Sequence, residues 1–146
     1  MKSKLLHEAQ GQRTFVMVLD TGDEVRDCLQ RLAERERLSA AQVTAIGAFA
    51  RARIRYFDWE AKQYRPIPLE EQVEVVSLNG DIALDRTGQP KLHLHAVLGR
   101  RDGMAMGGDL ESGHVRPTLE VIITESPAHL RRVHDEKTGL ALIRLD

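Results

Sequence analysis

The sequence has few of the features that would assign it to several large classes of protein. Cys28 is its only cysteine, which excludes an internal disulfide and a cysteine-based zinc finger and fits a reducing compartment. No apolar run approaches the roughly 20 residues of a membrane-spanning helix. Residues 1–8 also lack the apolar stretch of a secretory signal. The sequence therefore predicts a cytoplasmic protein with no membrane segment.

The charge balance and the aromatic content both count against a nucleic-acid-binding surface. The 21 lysines and arginines are offset by 22 aspartates and glutamates, for a net charge of −1. A DNA-binding domain usually carries a basic excess, because phosphate neutralisation supplies much of its affinity. Aromatic residues make up only 4% of the chain, too few for a base-stacking platform. Direct contact with duplex DNA is therefore disfavoured, although a local basic patch is compatible with this composition.

Common nucleotide-binding and catalytic motifs are missing as well. The chain has no Gly-x-x-x-x-Gly-Lys-Ser/Thr loop, no Gly-x-Gly-x-x-Gly, no Gly-x-Ser-x-Gly elbow and no His-Glu-x-x-His. Its 42% apolar and 29% charged residues are typical of a folded protein without low-complexity regions. The length of 146 residues predicts one domain, residues 1–146, with a core of its own.

The apolar pattern predicts one helix early in the chain. Thr21-Gly22-Asp23-Glu24 has the form of a capping box with Thr21 as the cap, and the helix behind it should run to about Arg37. Cys28 falls on its buried stripe, which indicates a packing residue rather than a nucleophile. Residues 39–42 then predict one short capped turn.

Beyond residue 43 the pattern becomes that of strands. Asn79-Gly80 between two apolar runs predicts a hairpin turn. Residues 118–124 alternate between a core face and an outer face. Two short segments, 130–133 and 140–145, flank a turn near the end of the chain. Together these elements predict an α+β fold with a mostly antiparallel sheet and flanking helices.

Three arginines, Arg51, Arg53 and Arg55, share one face of a predicted strand. Such a ladder could grip phosphates or a carboxylate ligand. We favour a solvated face or a subunit contact, because exposed charges of this kind are usually no more than that.

Two histidines are the most informative residues of the chain. If residues 91–98 form a strand, Leu94 points to the core while His93 and His95 share the other face. A strand commonly offers two imidazoles to one metal ion in this way. Asp109, which follows Gly107-Gly108, is the nearest candidate for a third ligand. The alternative is a half-exposed strand that carries two histidines and no metal.

Two imidazoles and one carboxylate suit zinc, or less readily iron, and would leave a coordination position open to water or a ligand oxygen. His114 is a candidate for an extra ligand, although a lone loop histidine is more often a surface residue. Glu120 is a candidate general base or hydrogen-bond partner if its strand neighbours the histidine pair. Its alternative is an ordinary outward-facing carboxylate.

Several segments, in this order and spacing, match one known family: Ala45-Ile46-Gly47-Ala48, residues 74–83, Pro90-Lys91-Leu92-His93-Leu94-His95-Ala96, Gly107-Gly108-Asp109-Leu110 and residues 115–121. The sequence resembles the plant-and-prokaryote-conserved (PPC) domain family over roughly residues 12–145, and among its members the stand-alone prokaryotic proteins. That resemblance implies a compact α/β domain and a homotrimer with pockets at the subunit boundaries, near the His-x-His strand.

The resemblance also implies a metal site and limits the role in DNA binding. The family usually has histidine where this chain has Asp109, and that histidine can join the His-x-His pair to hold zinc. Plant members contact DNA through an Arg-Gly-Arg-Pro hook, which is absent here. Of their partner-contact motif only Glu74 is identical, so the plant role does not transfer. Prokaryotic members are described as DNA-binding by analogy with the fold.

We therefore predict a homotrimeric PPC-domain protein of the DNA-binding or regulatory type, with a His-based metal or small-ligand site at the subunit boundary. A metal-dependent enzyme of the hydrolase or lyase type, acting on a small molecule, is the alternative. A structural trimer without chemistry is the third hypothesis.

Overall fold

Strands dominate the computed structural model, which describes residues 1–145. They hold 67% of the residues, whereas the helix holds 8%. In chain order the elements are β1 (Lys2–Ala9), β2 (Gln12–Asp20), α1 (Val25–Glu36), β3 (Ala40–Asp58), β4 (Gln63–Leu69), β5 (Val73–Leu84), β6 (Pro90–Gly99), β7 (Ala105–Glu125), β8 (Arg131–Asp135) and β9 (Leu140–Arg144).

The predicted α+β class with flanking helices is wrong, because residues 1–145 contain the single helix α1. The capped turn predicted at residues 39–42 is instead the start of β3. Ala41 pairs with Ile82 of β5 on one side and with Glu125 of β7 on the other. Alanine favours helices in isolation, but ladders on both sides satisfy its backbone groups and outweigh that preference. The ladders themselves are antiparallel, apart from one parallel pair between β5 and β8.

Four strands close into a ring around the core. β3 pairs with β5 and β7, and β6 pairs with those same two strands, so the path β3–β5–β6–β7 returns to its start. Alternation along each strand sends one set of side chains inward. Leu78, Leu94 and Leu110 are fully buried members of that set. The site described below lies on the outside of this ring.

Helix α1 packs against β6 and β7 with an apolar stripe that includes Leu29 and Leu32. Cys28 belongs to the same stripe and is fully buried, and burial raises the pKa of its thiol, as expected for a packing residue. Within residues 1–145, the helical segment is too short and too polar to cross a membrane.

The helix starts three residues later than the capping-box pattern predicts. The cap is Glu24, whose Oε2 accepts a hydrogen bond from the backbone N–H of Asp27 at 2.8 Å. Thr21 is used elsewhere, because its hydroxyl donates to the carbonyl oxygen of Pro117. Arg37 ends the helix in a left-handed conformation, in agreement with the predicted end.

The hairpin turn predicted at Asn79-Gly80 is also wrong, since β5 continues through both residues. Gly80 is required there by a close approach of β6. A Cβ atom at this position would lie 2.0 Å from the carbonyl oxygen of His93. A residue pair that is typical of turns therefore serves here to bring the histidine strand against β5.

Candidate metal centre

The two histidines lie side by side on the outer face of β6, as their spacing predicts. Leu94 between them is fully buried, whereas His93 is half-buried and His95 is exposed. The two Nε2 atoms are 3.2 Å apart, and the imidazole planes are nearly perpendicular, at 85°. Both ring nitrogens thus converge on one point outside the strand.

Asp109 completes the cluster from the neighbouring strand. It pairs directly with His95 in the β6–β7 ladder, and only 5% of its surface is exposed. Ligand atoms of His93, His95 and Asp109 all lie within 4.8 Å of one another. Gly108 permits this position, because a Cβ atom there would lie 2.6 Å from the carbonyl oxygen of Arg55.

The spacing of the two imidazole nitrogens fits a tetrahedral metal ion. With Zn–N bonds of about 2.0–2.1 Å, two ligands of a tetrahedron are separated by about 3.3 Å, close to the observed 3.2 Å between the imidazole nitrogens. Two nitrogens and one carboxylate oxygen are a donor set typical of zinc and also acceptable to iron. Such a set leaves one position open to water or to a ligand.

Arg55 holds the carboxylate of Asp109 in place. Its Nε donates to Oδ1 at 2.8 Å and its Nη2 donates to the same oxygen at 2.5 Å, so Oδ2 is left for another ligand. The ring of Tyr64 covers the guanidinium at 4.3 Å. Burial and the nearby charge of Asp109 raise the pKa of the Tyr64 hydroxyl.

The arginine ladder therefore divides into two parts. Arg51 and Arg53 are exposed, as the interpretation of a solvated face expects. Arg55 is half-buried and grips a carboxylate, but that carboxylate belongs to the chain itself.

The other nitrogen of His93 faces a charged pair. Asp81 pairs with His93 in the β5–β6 ladder, and its Oδ2 lies 3.8 Å from Nδ1. Arg132 of β8 donates from Nη2 to both oxygens of Asp81, at 2.8 and 2.7 Å, and the same nitrogen lies 3.0 Å from His93 Nδ1. Burial opposes ionisation of Asp81, but the nearby His93 and the hydrogen bonds and charge of Arg132 outweigh it, so the pKa of Asp81 is lowered.

Sequence reasoning missed Asp81 and Arg132. Asp81 follows Asn79-Gly80, which reads as a turn, so its place opposite His93 depends on a register that the pattern did not indicate. Arg132 lies more than 30 residues from the histidines in sequence, and no local signal links the two. Carboxylates that orient metal-bound histidines are common, and a search for acidic residues on the adjacent strand would have been the useful signal.

Two other candidate residues lie away from this cluster. His114 is on β7 opposite Arg51, whose Nη2 is 3.4 Å from its Nε2. Five residues of strand separate it from Asp109, a distance of about 16 Å. Glu120 pairs with Ile46 of β3 and lies eleven residues along β7 from Asp109, beyond the part of β7 (residues 105–109) that pairs with β6. Within residues 1–145, the structure brings neither side chain to the histidine pair.

Several solved structures share this architecture. A metal-containing protein of Archaeoglobus fulgidus is 35% identical, with a TM-score of 0.83 over 90% of this chain and 92% of that one. A PPC protein of Pyrococcus horikoshii is 29% identical, with a TM-score of 0.83 over 98% and 94%. A candidate DNA-binding protein of Ralstonia eutropha is 28% identical, with a TM-score of 0.82 over 90% and 91%.

Family membership follows from a separate comparison. No curated protein matches this sequence significantly. The profile of the Plants and Prokaryotes Conserved domain, the same domain as the PPC domain named above, matches residues 6–127. Because this match covers most of the chain and includes the histidine strand and Asp109, the chain belongs to the Plants and Prokaryotes Conserved domain family.

Proposed function

We propose that this protein is a metal-binding regulatory PPC-domain protein of the DNA-associated type, a cytoplasmic homotrimer that holds zinc with His93, His95 and Asp109. The observation that carries the proposal is the convergence of three donor groups, with the two imidazole nitrogens separated by about one edge of a zinc tetrahedron. The relative from Archaeoglobus fulgidus, described as metal-containing, supports a metal in this fold.

The surroundings of the three donors support a centre built to hold an ion. Metal-bound histidines usually have a carboxylate near the second ring nitrogen, and Asp81 lies there beside His93. The carboxylate of Asp109 is itself held by Arg55. When bound, the metal would act as a Lewis acid for a ligand oxygen or activate a water molecule.

An uncovered apolar surface supports the homotrimer. We call it the outer strip and define it by Val18, Ile46, Val76, Val97 and Ile122, on the outer faces of strands β2, β3, β5, β6 and β7. Four of them are strongly exposed, with 62% of Ile46 and 58% of Val76 accessible. Exposed apolar side chains grouped on neighbouring strands are typical of protein interfaces. A second copy of this chain is the occupant that we propose, since the resemblance to the PPC family implies self-association.

The proposed association with DNA rests on the relatives, and the net charge limits how strongly one chain could contact DNA directly. The similar protein of Ralstonia eutropha carries a DNA-binding description. The net charge of −1 disfavours tight phosphate binding by one chain. We therefore propose regulation through partner contacts, with direct duplex affinity weak at physiological salt. Strong, salt-dependent retention of labelled duplex would contradict that part of the proposal.

The first experiment is elemental analysis of the protein, purified without an affinity tag, by inductively coupled plasma mass spectrometry. We expect about one zinc per chain, and loss of that zinc from the variant that combines His93→Ala and His95→Ala. The matched control is His134→Ala, which removes an exposed histidine of β8 that is not part of the donor cluster. Zinc content that is unchanged in the double variant would refute the ligand assignment.

A metal-dependent enzyme of the hydrolase or lyase type is the second candidate function. A cleft of about 450 Å³ favours it, because His93 and Asp109 form part of its wall and a small molecule in it would lie beside the metal. Zinc-dependent turnover of a small-molecule library, lost in the double histidine variant, would favour this candidate over the regulatory one.

A further inference from the structure

The cleft beside the metal centre has walls from distant parts of the chain. Arg26 comes from α1, Tyr64 from β4 and Leu142 from β9, while His93 and Asp109 form the edge shared with the metal centre. The volume of about 450 Å³ is within the range of small-molecule sites. The hairpin of β8 and β9, residues 131–144, lies beyond the segment matched by the family profile, yet it supplies one wall.

Positive charge is in excess around this cleft. Four basic side chains line it, Arg26, Arg55, Lys91 and Arg132, against the two carboxylates Asp85 and Asp109. Three of these cations have carboxylate partners. Arg55 pairs with Asp109, Lys91 lies 3.7 Å from Asp85, and Arg132 pairs with Asp81.

Arg26 differs from the other three cations. Its Nη1 donates to the carbonyl oxygen of Leu110 at 2.9 Å, which fixes the side chain against β7. Among residues 1–145, no carboxylate forms an ion pair with it. A half-buried guanidinium that is held by a neutral carbonyl keeps other N–H groups and its full charge for an incoming anion.

Arg132 provides a second, independent sign of an incomplete site. Its side chain is only 10% exposed, and its buried Nε has no hydrogen-bond partner among the described residues. A buried donor without a partner is costly, and such groups are uncommon in folded proteins. An acceptor brought into this cleft would offset that cost after a small side-chain adjustment.

The remaining walls are apolar. Leu92 of β6 and Leu140, Ala141 and Leu142 of the hairpin contribute hydrocarbon surface, and Tyr64 adds an aromatic ring. A ligand for this cleft therefore needs an anionic group and a small apolar body.

From these features we propose that the cleft binds a small organic anion, a carboxylate or phosphate ester with an apolar or aromatic body, with Arg26 as the main charged contact. This inference deepens the proposed function and rests on it, since the metal would form one edge of the site. Arg26 forms no hydrogen bond or ion pair with the three proposed ligands, so anion binding and metal binding can be measured separately.

The test is isothermal titration calorimetry of zinc-loaded protein with benzoate and with phenyl phosphate, which distinguish a carboxylate from a phosphate ligand. Neutral benzyl alcohol is the control ligand. We expect at least one anion to bind, and Arg26→Gln to weaken it about tenfold or more, the loss of one charge-assisted contact. Arg35→Gln removes the same charge from the exposed end of α1 and should leave the affinity unchanged.

Three results would overturn the proposal: no binding of either anion, equal binding of benzyl alcohol, or unchanged affinity in a folded Arg26→Gln protein. If that variant does not fold, the wild type is titrated with the anion and followed by NMR. The amide chemical shifts that change must then include those of Arg26 and residues 140–142, and changes confined to other residues would refute the site. Zinc content is measured on the same samples. Zinc without anion binding contradicts only this inference, whereas Arg26-dependent anion binding without zinc contradicts only the metal centre.

Discussion

Arg55 and Asp109 face each other across the β3–β7 ladder, and both hydrogen bonds from the guanidinium reach the same carboxylate oxygen, Oδ1. An anionic side chain that is 5% exposed needs a partner, because burial of an unpaired charge is costly. Arg55 supplies that partner, and it leaves the other oxygen, Oδ2, without a bond to the guanidinium.

Replacement of Arg55 by lysine should therefore weaken metal binding. Lysine keeps the charge but cannot donate two N–H groups in a fixed fork, so Asp109 loses its orientation. Partners that orient metal ligands typically contribute about 10- to 100-fold in affinity. We expect a loss of that size when zinc affinity is measured by competition with a chromogenic chelator.

Arg53→Lys provides the matched control for this experiment. Arg53 lies two residues away on the same strand, and half of its side chain is exposed. Its replacement should leave the zinc affinity within a factor of two or so of the wild type. Equal affinity in the Arg53→Lys and Arg55→Lys proteins would show that Arg55 does not position a metal ligand.

Gly80 should be intolerant of even a methyl group. A Cβ atom would lie 2.0 Å from the backbone carbonyl oxygen of His93, so β6 must move away from β5. Overpacking of this kind typically costs about 1–3 kcal/mol. We expect Gly80→Ala to lower the free energy of unfolding, measured by urea denaturation, and to reduce zinc content because His93 is displaced.

Gly107→Ala is the control for the glycine prediction. A Cβ atom at Gly107 would have its nearest contact at 3.5 Å, from the carbonyl oxygen of Ala96, which is ordinary van der Waals distance. This variant should unfold at nearly the same urea concentration as the wild type. A Gly80→Ala protein that is as stable as Gly107→Ala would contradict the close approach of the two strands.

The sequence predicts the local features of this fold better than its class. Alternation placed Leu94 in the core and both histidines outside, because period-two patterns report directly on strand faces. The predictions from the alanines after α1 and from the pair Asn79-Gly80 were wrong. The alanines favour helix and Asn-Gly favours a turn, but pairing with distant strands overrides both local preferences. Pairing between strands joins residues that are far apart in sequence, so its register cannot be predicted from a short segment of the sequence.

The same limit applies to the candidate site. His93, His95 and Asp109 could be named in advance because two lie on one strand and the third follows a diglycine. The sequence indicated Arg55 only as one of three arginines on the same strand face. Its pairing with Asp109 depends on the register between β3 and β7. The hairpin that carries Arg132 reaches the site by a tertiary contact with β5, which local patterns do not encode.

A charge placed in the outer strip should separate the subunits. Ile46 is 62% exposed and lies beside Glu120, so Ile46→Glu would put two negative charges together in a surface that we propose is buried between copies. We expect size-exclusion chromatography with light scattering to give the mass of a trimer for the wild type and a monomer for the variant.

Met104→Glu is the control for the outer strip. Met104 is 64% exposed but lies in the turn before β7 and is not one of the residues that define that surface, so its variant should remain trimeric. A wild-type protein that runs as a monomer at micromolar concentration, or an Ile46→Glu protein that keeps the mass of a trimer, would refute this interface.

Asp58 should make the stability of the β3–β4 turn depend on pH. The backbone N–H of Ala61 donates to its carboxylate, and together with the charge and hydrogen bond of Arg65 and the N–H of Glu60 this outweighs desolvation, so the pKa of Asp58 is lowered from 3.8. A carboxyl group with a lowered folded-state pKa contributes stability above its unfolded-state pKa and loses it as the pH falls through the folded-state value. Urea denaturation should therefore find wild type more stable than Asp58→Asn at pH 7, with the difference shrinking below pH 4. A difference that stays constant from pH 7 to pH 2 would mean that the carboxylate charge plays no part in the turn.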